Sequence, residues 1–409
     1  MNRQTIIPMS SPDLTQAEFA AVNQVVQTSF LSIGPQITAF EQTFAAYVGT
    51  CHAAGVNSGT SGLHLCMIAA GVGAGDLVIT TPFSFIASSN CILYERAIPI
   101  FVDVDPLTGN IDPTLVVAAV EQLMNHDQSA RTHRWLPPIL RSSPGSAVNH
   151  RLRAILPVHA FGQPVHIDPV LEIARQHDLW VIEDACEAIG AEYGGRRAGT
   201  LGHAAVFAFY PNKQMTTGEG GMIVTDNPNW DNLFRSLRNQ GRDVFNAWLH
   251  HTRLGYNYRL NEMSAALGLV QIQRIEELLS RRAQVAQWYN ERLADIDLIE
   301  RPCLALTTTR MSWFVYVVRV RPPAQRDRLI QQLAEAGIPS RPYFTPIHLQ
   351  PFYRQTFGYQ RGDFPVTEYL GDVSLALPFS GIMTENQVDY VCDHVRANLT
   401  QARTVGSVL

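Results

Sequence analysis

Lys213 is the first residue in this chain that invites a chemical reading. Lysine and arginine together number 31, and Lys213 is the only lysine among them. Arginine replaces lysine as a surface cation, but its guanidinium stays protonated and cannot offer a free amine. Lys213 closes the segment FAFYPNK, directly after an apolar run. An amine at a strand exit among aromatics is partly shielded from water, which favours its neutral, nucleophilic form. Such a group condenses with an aldehyde. Asp184 ends an earlier apolar run, VIED. A carboxylate there can face the same crevice and hold a protonated ring nitrogen. Plainer readings stay open: Lys213 as an ordinary loop lysine, Asp184 as a cap for the turn that follows.

Three further segments carry suitable groups. SGTSG (58–62) precedes an apolar stretch. Small residues at a helix start expose amides that, with the helix dipole, suit a phosphate. Many helices start this way without a ligand. Phe83 and Phe85 follow the run LVIT and offer a face for a planar group, or simply core packing. Asn257 and Arg259, in GYNYRLNE, could reach a phosphate or cap the next helix. A phosphate-type helix start, an aromatic, an acid and an amine, in that order, are what an α/β cofactor site needs.

The elements that would position them follow from periodicity. Strands are expected at 77–80, 98–102, 154–158, 179–182, 204–209 and 222–225. Asp168 and Pro169 open an amphipathic helix between two of these. Alternation of strand and helix predicts a mostly parallel central sheet flanked by helices, with ligands beyond the carboxyl ends of the strands. Thr15 to Glu18 fits a capping box for a helix to about 28, and 37–48 has helical spacing. One long helix is expected over 261–293, then a strand at 313–320 and helices at 325–336 and 384–399. These form a smaller C-terminal α+β domain. The expected units are 1–255, cofactor-binding, and 256–409. Residues 124–153, rich in proline, serine and basic groups, read as a surface insertion with an open binding role.

Composition sets outer limits. The chain has 409 residues, 46% of them apolar, and a net charge of −5. That supports a large core and gives no reason to expect a nucleic-acid partner. None of the six cysteines has CxxC spacing, so no metal site is expected. The N-terminus lacks the apolar core of a signal peptide, and no apolar run approaches the roughly 20 residues of a membrane helix. A cytoplasmic location is expected.

NSGTSGLHL, PFSFIAS, PVHAFGQP, VIEDACEAIGAEY, FAFYPNKQMTTGEGGMIVTD and GYNYRLNEMSAALGL together resemble the blocks of the DegT/DnrJ/EryC1/StrS aminotransferases. SRPYFTPIHLQPFY also fits, and the resemblance runs from about 35 to about 395. It is greatest to the 4-amino sugar branch, such as perosamine synthases. The resemblance implies a fold type I, aspartate aminotransferase-like enzyme using pyridoxal 5'-phosphate, with pyridoxamine 5'-phosphate as its aminated form. It implies amino transfer from glutamate to a nucleotide-linked keto sugar, in a homodimer with shared sites. Lys213 would be the Schiff-base lysine and Asp184 the partner of the ring nitrogen. Phe85 would stack on the ring, Gly59 and Thr60 would hold the phosphate, and Glu187 would lie near the ring hydroxyl. Asn257 and Arg259 would reach the neighbouring subunit's cofactor. His159 would line the pocket and Arg341 would meet the nucleotide diphosphate. One departure stands out: many members have serine where this chain has Ala208. That puts one phosphate hydrogen bond in doubt, about 1–2 kcal/mol, unless Ser61 or water replaces it.

Three alternatives remain at this stage. A sugar dehydratase on the same fold would replace the lysine with histidine, which this chain does not. An aminocyclitol ketone could stand in for the nucleotide sugar. A non-catalytic regulatory protein could retain the scaffold, although an intact Lys213 and Asp184 weigh against it.

Overall fold

The computed structural model describes residues 7–124, 134–141, 150–242, 250–322 and 324–406. Its centre is a seven-stranded sheet in the order β1-β9-β8-β5-β4-β2-β3. These strands are β1 (His52–Val56), β2 (Leu77–Thr80), β3 (Ile98–Phe101), β4 (Leu152–Ile155), β5 (Trp180–Asp184), β8 (Ala204–Ala208) and β9 (Gly221–Thr225). Only β9 runs antiparallel to its neighbours. Strands such as Leu77–Thr80 are buried at every residue, because helices cover both faces. The helices of this half are α1 (Gln16–Val26), α2 (Pro35–Val48), α3 (Gly59–Ala69), α4 (Ala87–Tyr94), α5 (Pro113–Met124), α6 (Pro138–Arg141), α7 (Asp168–Gln176) and α8 (Pro228–Arg238).

Local chemistry fixes several of these ends. Thr15 and Glu18 form the expected capping box at α1. α2 begins at Gly34, which has no side chain to cap it. The buried carboxylate of Glu262 takes over, accepting the amides of Gly34, Gln36 and Ile37 at 3.0, 2.7 and 3.1 Å. Glu262 opens α9 (Glu262–Gln273), so this bond also docks α9 on α2. The expected single helix over 261–293 is therefore two. Arg274 breaks it with φ −99° and ψ 6°, and its guanidinium reaches Asp13 and Glu18. α10 (Ile275–Arg292) follows. Strand β1 was not expected from periodicity; its HAAGV has no strong apolar alternation.

The second half carries a four-stranded antiparallel sheet in the order β10-β12-β14-β13. Its strands are β10 (Ile299–Glu300), β12 (Tyr316–Val320), β13 (Arg341–Pro342) and β14 (Ser374–Leu377). A small third sheet joins β11 (Thr308–Arg310) to β6 (Glu192–Tyr193) and β7 (Arg196–Arg197). The expected strand at 313–320 begins later, at Tyr316, because Trp313 takes φ +42°. The remaining helices are α11 (Arg326–Glu335), α12 (Pro351–Phe357), α13 (Pro365–Val373) and α14 (Glu385–Gly406). Apolar residues from α10, β12, α11, β14 and α14, with Ile7, build one core, while Ile347, Tyr353, Phe357, Tyr359 and Phe364 pack on Phe101 of the first half. Residues 260–279, from the expected second unit, pack instead with Ile37, Phe40, Phe44 and Phe207. α10 contributes to both cores.

Of the segment 124–153, read as an insertion with an open binding role, α6 and the ends next to α5 and β4 are described; 125–133 and 142–149 lie outside the described residues. Residues 1–6, part of the N-terminus read for a signal peptide, lie outside them as well. Among the described residues, no helix is long and apolar enough to cross a membrane.

Candidate active site

Strand ends β1, β5 and β8 converge on a cavity of about 380 Å³. Lys213, Asp184, Glu187, Phe85, Gly59 and Thr60 all line it. These six come from four separate segments, and the sheet brings them together as the sequence order suggested.

Each is placed by identifiable contacts. The loop after β8 turns at Tyr210, whose carbonyl accepts the Lys213 amide at 2.9 Å. Lys213 Nζ then lies 3.5 Å from Glu187 Oε1 and 3.8 Å from the centre of the Phe314 ring. Glu187 Oε2 accepts the Phe161 amide at 2.8 Å. Burial pushes the Glu187 carboxyl above its ordinary range, against the pull of Lys213 and that amide. Asp184, at the end of β5, accepts the Ser88 hydroxyl at 2.7 Å on Oδ2 and the Cys186 amide at 3.1 Å on Oδ1. Both oxygens are thereby oriented. Burial, with Asp184 beside it, pushes the Cys186 thiol well up, so it forms a neutral wall and not a nucleophile.

At the other end, α3 starts on Ser58, whose Oγ accepts the Ser61 amide at 3.1 Å. Position 59 must be glycine. A Cβ there would sit 2.8 Å from both the Ala208 Cβ and the Cys186 Sγ. The first turn of α3 can therefore lie directly against the end of β8, with Ser58, Gly59 and Thr60 facing the cavity. Ser61, considered as a substitute for the missing hydroxyl at Ala208, does not line it; Ser58 does. Phe85 is 64% exposed although Phe83, two residues earlier, is buried. An aromatic left bare on a cavity wall offers a stacking face.

Four expected site residues lie outside this cavity, and two of them, Asn257 and Arg259, were expected to serve a neighbouring subunit. His159 is fully buried and does not line the cavity. Its Nε2 lies 2.9 Å from Glu183 Oε2, and its Nδ1 accepts the Val165 amide at 3.0 Å. It braces the loop after β4, and both ring nitrogens are already in use. Arg341 is exposed on β13, with its guanidinium on the Ser340 carbonyl; Tyr343, two residues on, is the one that lines the cavity. Asn257 is exposed, and Arg259 donates to Asn239 at 3.0 Å beside a second, basic depression with Arg235, Arg238 and Arg242. Neither enters the cavity of its own chain. Conversely, Ser88, Phe314 and Tyr343 line the cavity although none was singled out; Ser88 and Tyr343 stand inside PFSFIAS and SRPYFTPIHLQPFY, and only Phe314 lies outside such a block.

The donor set fits a flat, phosphorylated aldehyde. The helix start would take the phosphate, the bare Phe85 ring a planar face, Asp184 a ring nitrogen and the Lys213 amine the aldehyde.

The sequence profile of the DegT/DnrJ/EryC1/StrS aminotransferase family matches residues 12–126 and 140–396. GDP-perosamine synthase of Caulobacter vibrioides is 38% identical over 389 residues, 94% of this chain and 96% of that protein. A pleiotropic regulatory protein of Geobacillus stearothermophilus is 34% identical over 378 residues, 91% of this chain and 92% of that protein. The crystal structure of S. venezuelae DesV has 32% identity and a TM-score of 0.82, covering 96% of this chain and 98% of that one. With sequence, fold and cavity in agreement, the chain belongs to the DegT/DnrJ/EryC1/StrS family and is a pyridoxal-phosphate-dependent aminotransferase of fold type I.

Proposed function

We propose that this enzyme moves an amino group from glutamate to a keto sugar carried on a nucleotide, producing an amino sugar. The observation that carries the reading is the single cavity holding Lys213, Glu187 and Asp184 beside a helix start. The likeness to GDP-perosamine synthase makes GDP-linked sugars the first to test.

When bound, the cofactor supplies an aldehyde for amine exchange and a conjugated ring that accepts electron density. The chain's residues do the rest. Gly59 and Thr60 would hold the cofactor's phosphate, and Phe85 would lie against its ring. Asp184, with one oxygen fixed by Ser88, keeps a proton on the ring nitrogen. Lys213 Nζ would hold the cofactor through its aldehyde and, when free, would be the group that takes a proton from the donor's α-carbon and gives one to the sugar. Glu187, 3.5 Å away, fixes where that nitrogen sits. Asn257 and Arg259 serve the site of a second copy, which makes the working unit a homodimer. Arg341 is exposed and available for the diphosphate.

The test offers glutamate with a panel of nucleotide keto sugars, and an aminocyclitol ketone as the competing acceptor. Release of 2-oxoglutarate should depend on a nucleotide sugar. Borohydride treatment of the loaded protein should leave a pyridoxyl tag on the Lys213 peptide, and Lys213→Ala should lower turnover by at least about 10³-fold. Normal turnover in that variant would remove the assignment. A regulatory reading is favoured by the name of one relative; amino transfer from glutamate by the native chain excludes it.

A further inference from the structure

Arg282 has no part in the chemistry above, yet it is a cation with 3% of its surface exposed. Burial pushes its guanidinium down to about 10, partly opposed by Asp13, so it remains charged at neutral pH. Its hydrogen bonds among the described residues go to main-chain carbonyls, not to a carboxylate. Nη2 donates to the carbonyls of Lys213 at 2.7 Å and Asn212 at 3.3 Å. Nη1 donates to those of Phe314 at 3.1 Å and Trp313 at 3.4 Å. Burying a cation without a carboxylate is costly, and the planar fork of arginine suits two pairs of acceptors at once.

The two carbonyl pairs belong to different parts of the molecule. Asn212 and Lys213 lie on the loop that leaves β8 of the large sheet. Trp313 and Phe314 lead into β12 of the smaller one. Arg282 itself sits on α10, the helix shared by both cores. The Phe314 ring that faces Lys213 Nζ at 3.8 Å is therefore carried by one half of the contact, and the amine by the other. Gln214 adds a second tie, donating to the Ser312 hydroxyl at 2.7 Å and the Glu187 carbonyl at 2.5 Å.

We propose that Arg282 is a positioning residue: its fork locks the lysine loop to the strand entrance bearing Phe314, and so aims Lys213 Nζ at the aldehyde. This rests on the reading of Lys213 as the Schiff-base residue. A covalent bond is sensitive to small errors of placement, whereas the phosphate cup at α3 has no bond to Arg282. The two forms of the cofactor therefore depend on Arg282 differently. Pyridoxal phosphate needs a correctly placed Lys213. Pyridoxamine phosphate forms no bond to it and relies on the cup, Phe85 and Asp184.

The experiment titrates the cofactor-free protein with each form, following fluorescence, for the native chain, Arg282→Gln and Arg282→Lys. Arg282→Gln should weaken pyridoxal phosphate by about tenfold and leave pyridoxamine phosphate within about twofold. Arg282→Lys keeps the charge but cannot span both carbonyl pairs. It should fall between, at about threefold, again for the aldehyde form alone. If Arg282→Gln does not fold, Arg282→Lys decides. Equal weakening of both forms would mean that Arg282 only maintains the fold, and unchanged binding of both would mean that it places nothing. Either result overturns the proposal. A native chain that binds neither form would sink the cofactor reading itself, and that outcome is read without any variant.

Discussion

Ala208, where the family resemblance leads one to expect a serine hydroxyl, puts a methyl group in the cavity wall next to Gly59. One acceptor-facing group is thus missing beside the helix start. Ala208→Ser should supply it and tighten cofactor binding by up to about tenfold, measured by titrating the cofactor-free protein. No change, or weaker binding, would mean that Ser58 or water already fills that direction. Residue identities were legible where the chemistry is written in one short segment. Lys213, Asp184, Glu187, Phe85 and the Gly59-Thr60 pair all sit in the cavity. The role of Ser88 was not legible, although it closes PFSFIAS, because its partner Asp184 is 96 positions away. His159 misled for the converse reason. A histidine after a strand looks like a ligand group until Glu183 and the Val165 amide are seen to occupy both nitrogens.

Among the elements, α1 shows how a local signal acquires a distant use. Glu18 closes the capping box with Thr15 and also accepts from Gln271 and Arg274, so the cap fastens α1 to the α9–α10 junction. Burial alone would raise its carboxyl. The hydrogen bonds from Thr15, Gln271 and Arg274 outweigh it and lower the value from 4.5 to about 2. The unfolded chain therefore takes up this proton first. The contribution is complete above the unfolded value and is lost as pH falls towards the folded one. Glu18→Gln should cost about 1–2 kcal/mol at pH 7 by urea unfolding. The gap to the native chain should close as pH falls from about 5 to about 2. A gap independent of pH would show that packing, not charge, carries the effect. Element types were largely readable from periodicity, and the six expected strands of the large sheet are present with ends shifted by a few residues. The break at Arg274 was not, since it depends on Asp13 and Glu18, more than 250 positions away.

For the molecule as a whole, Asn257 and Arg259 lie outside the cavity of their own chain. Phe30, Leu31 and Ile33 are all exposed, and Ser32 bridges to Asn261, so an apolar surface adjoins this segment. A second copy placed there would let each chain complete the other's site. Lys213→Ala and Asn257→Asp should each be poorly active alone. Mixed after dissociation, they should recover about a quarter of native activity, because half the dimers are hybrids and each hybrid holds one intact site. No recovery, with hybrids verified by mass, would mean that every site is built from a single chain. The packing of that site has a last consequence for handling the protein. The peptide bond after Lys213 is the only one in the chain that a lysine-specific endoprotease can cleave, and it lies in a loop pinned by Arg282 and Gln214. The native fold should resist such an enzyme, and each unfolding event should expose a single cut. Cleavage under a brief pulse of protease then counts unfolded molecules directly, one scission for each.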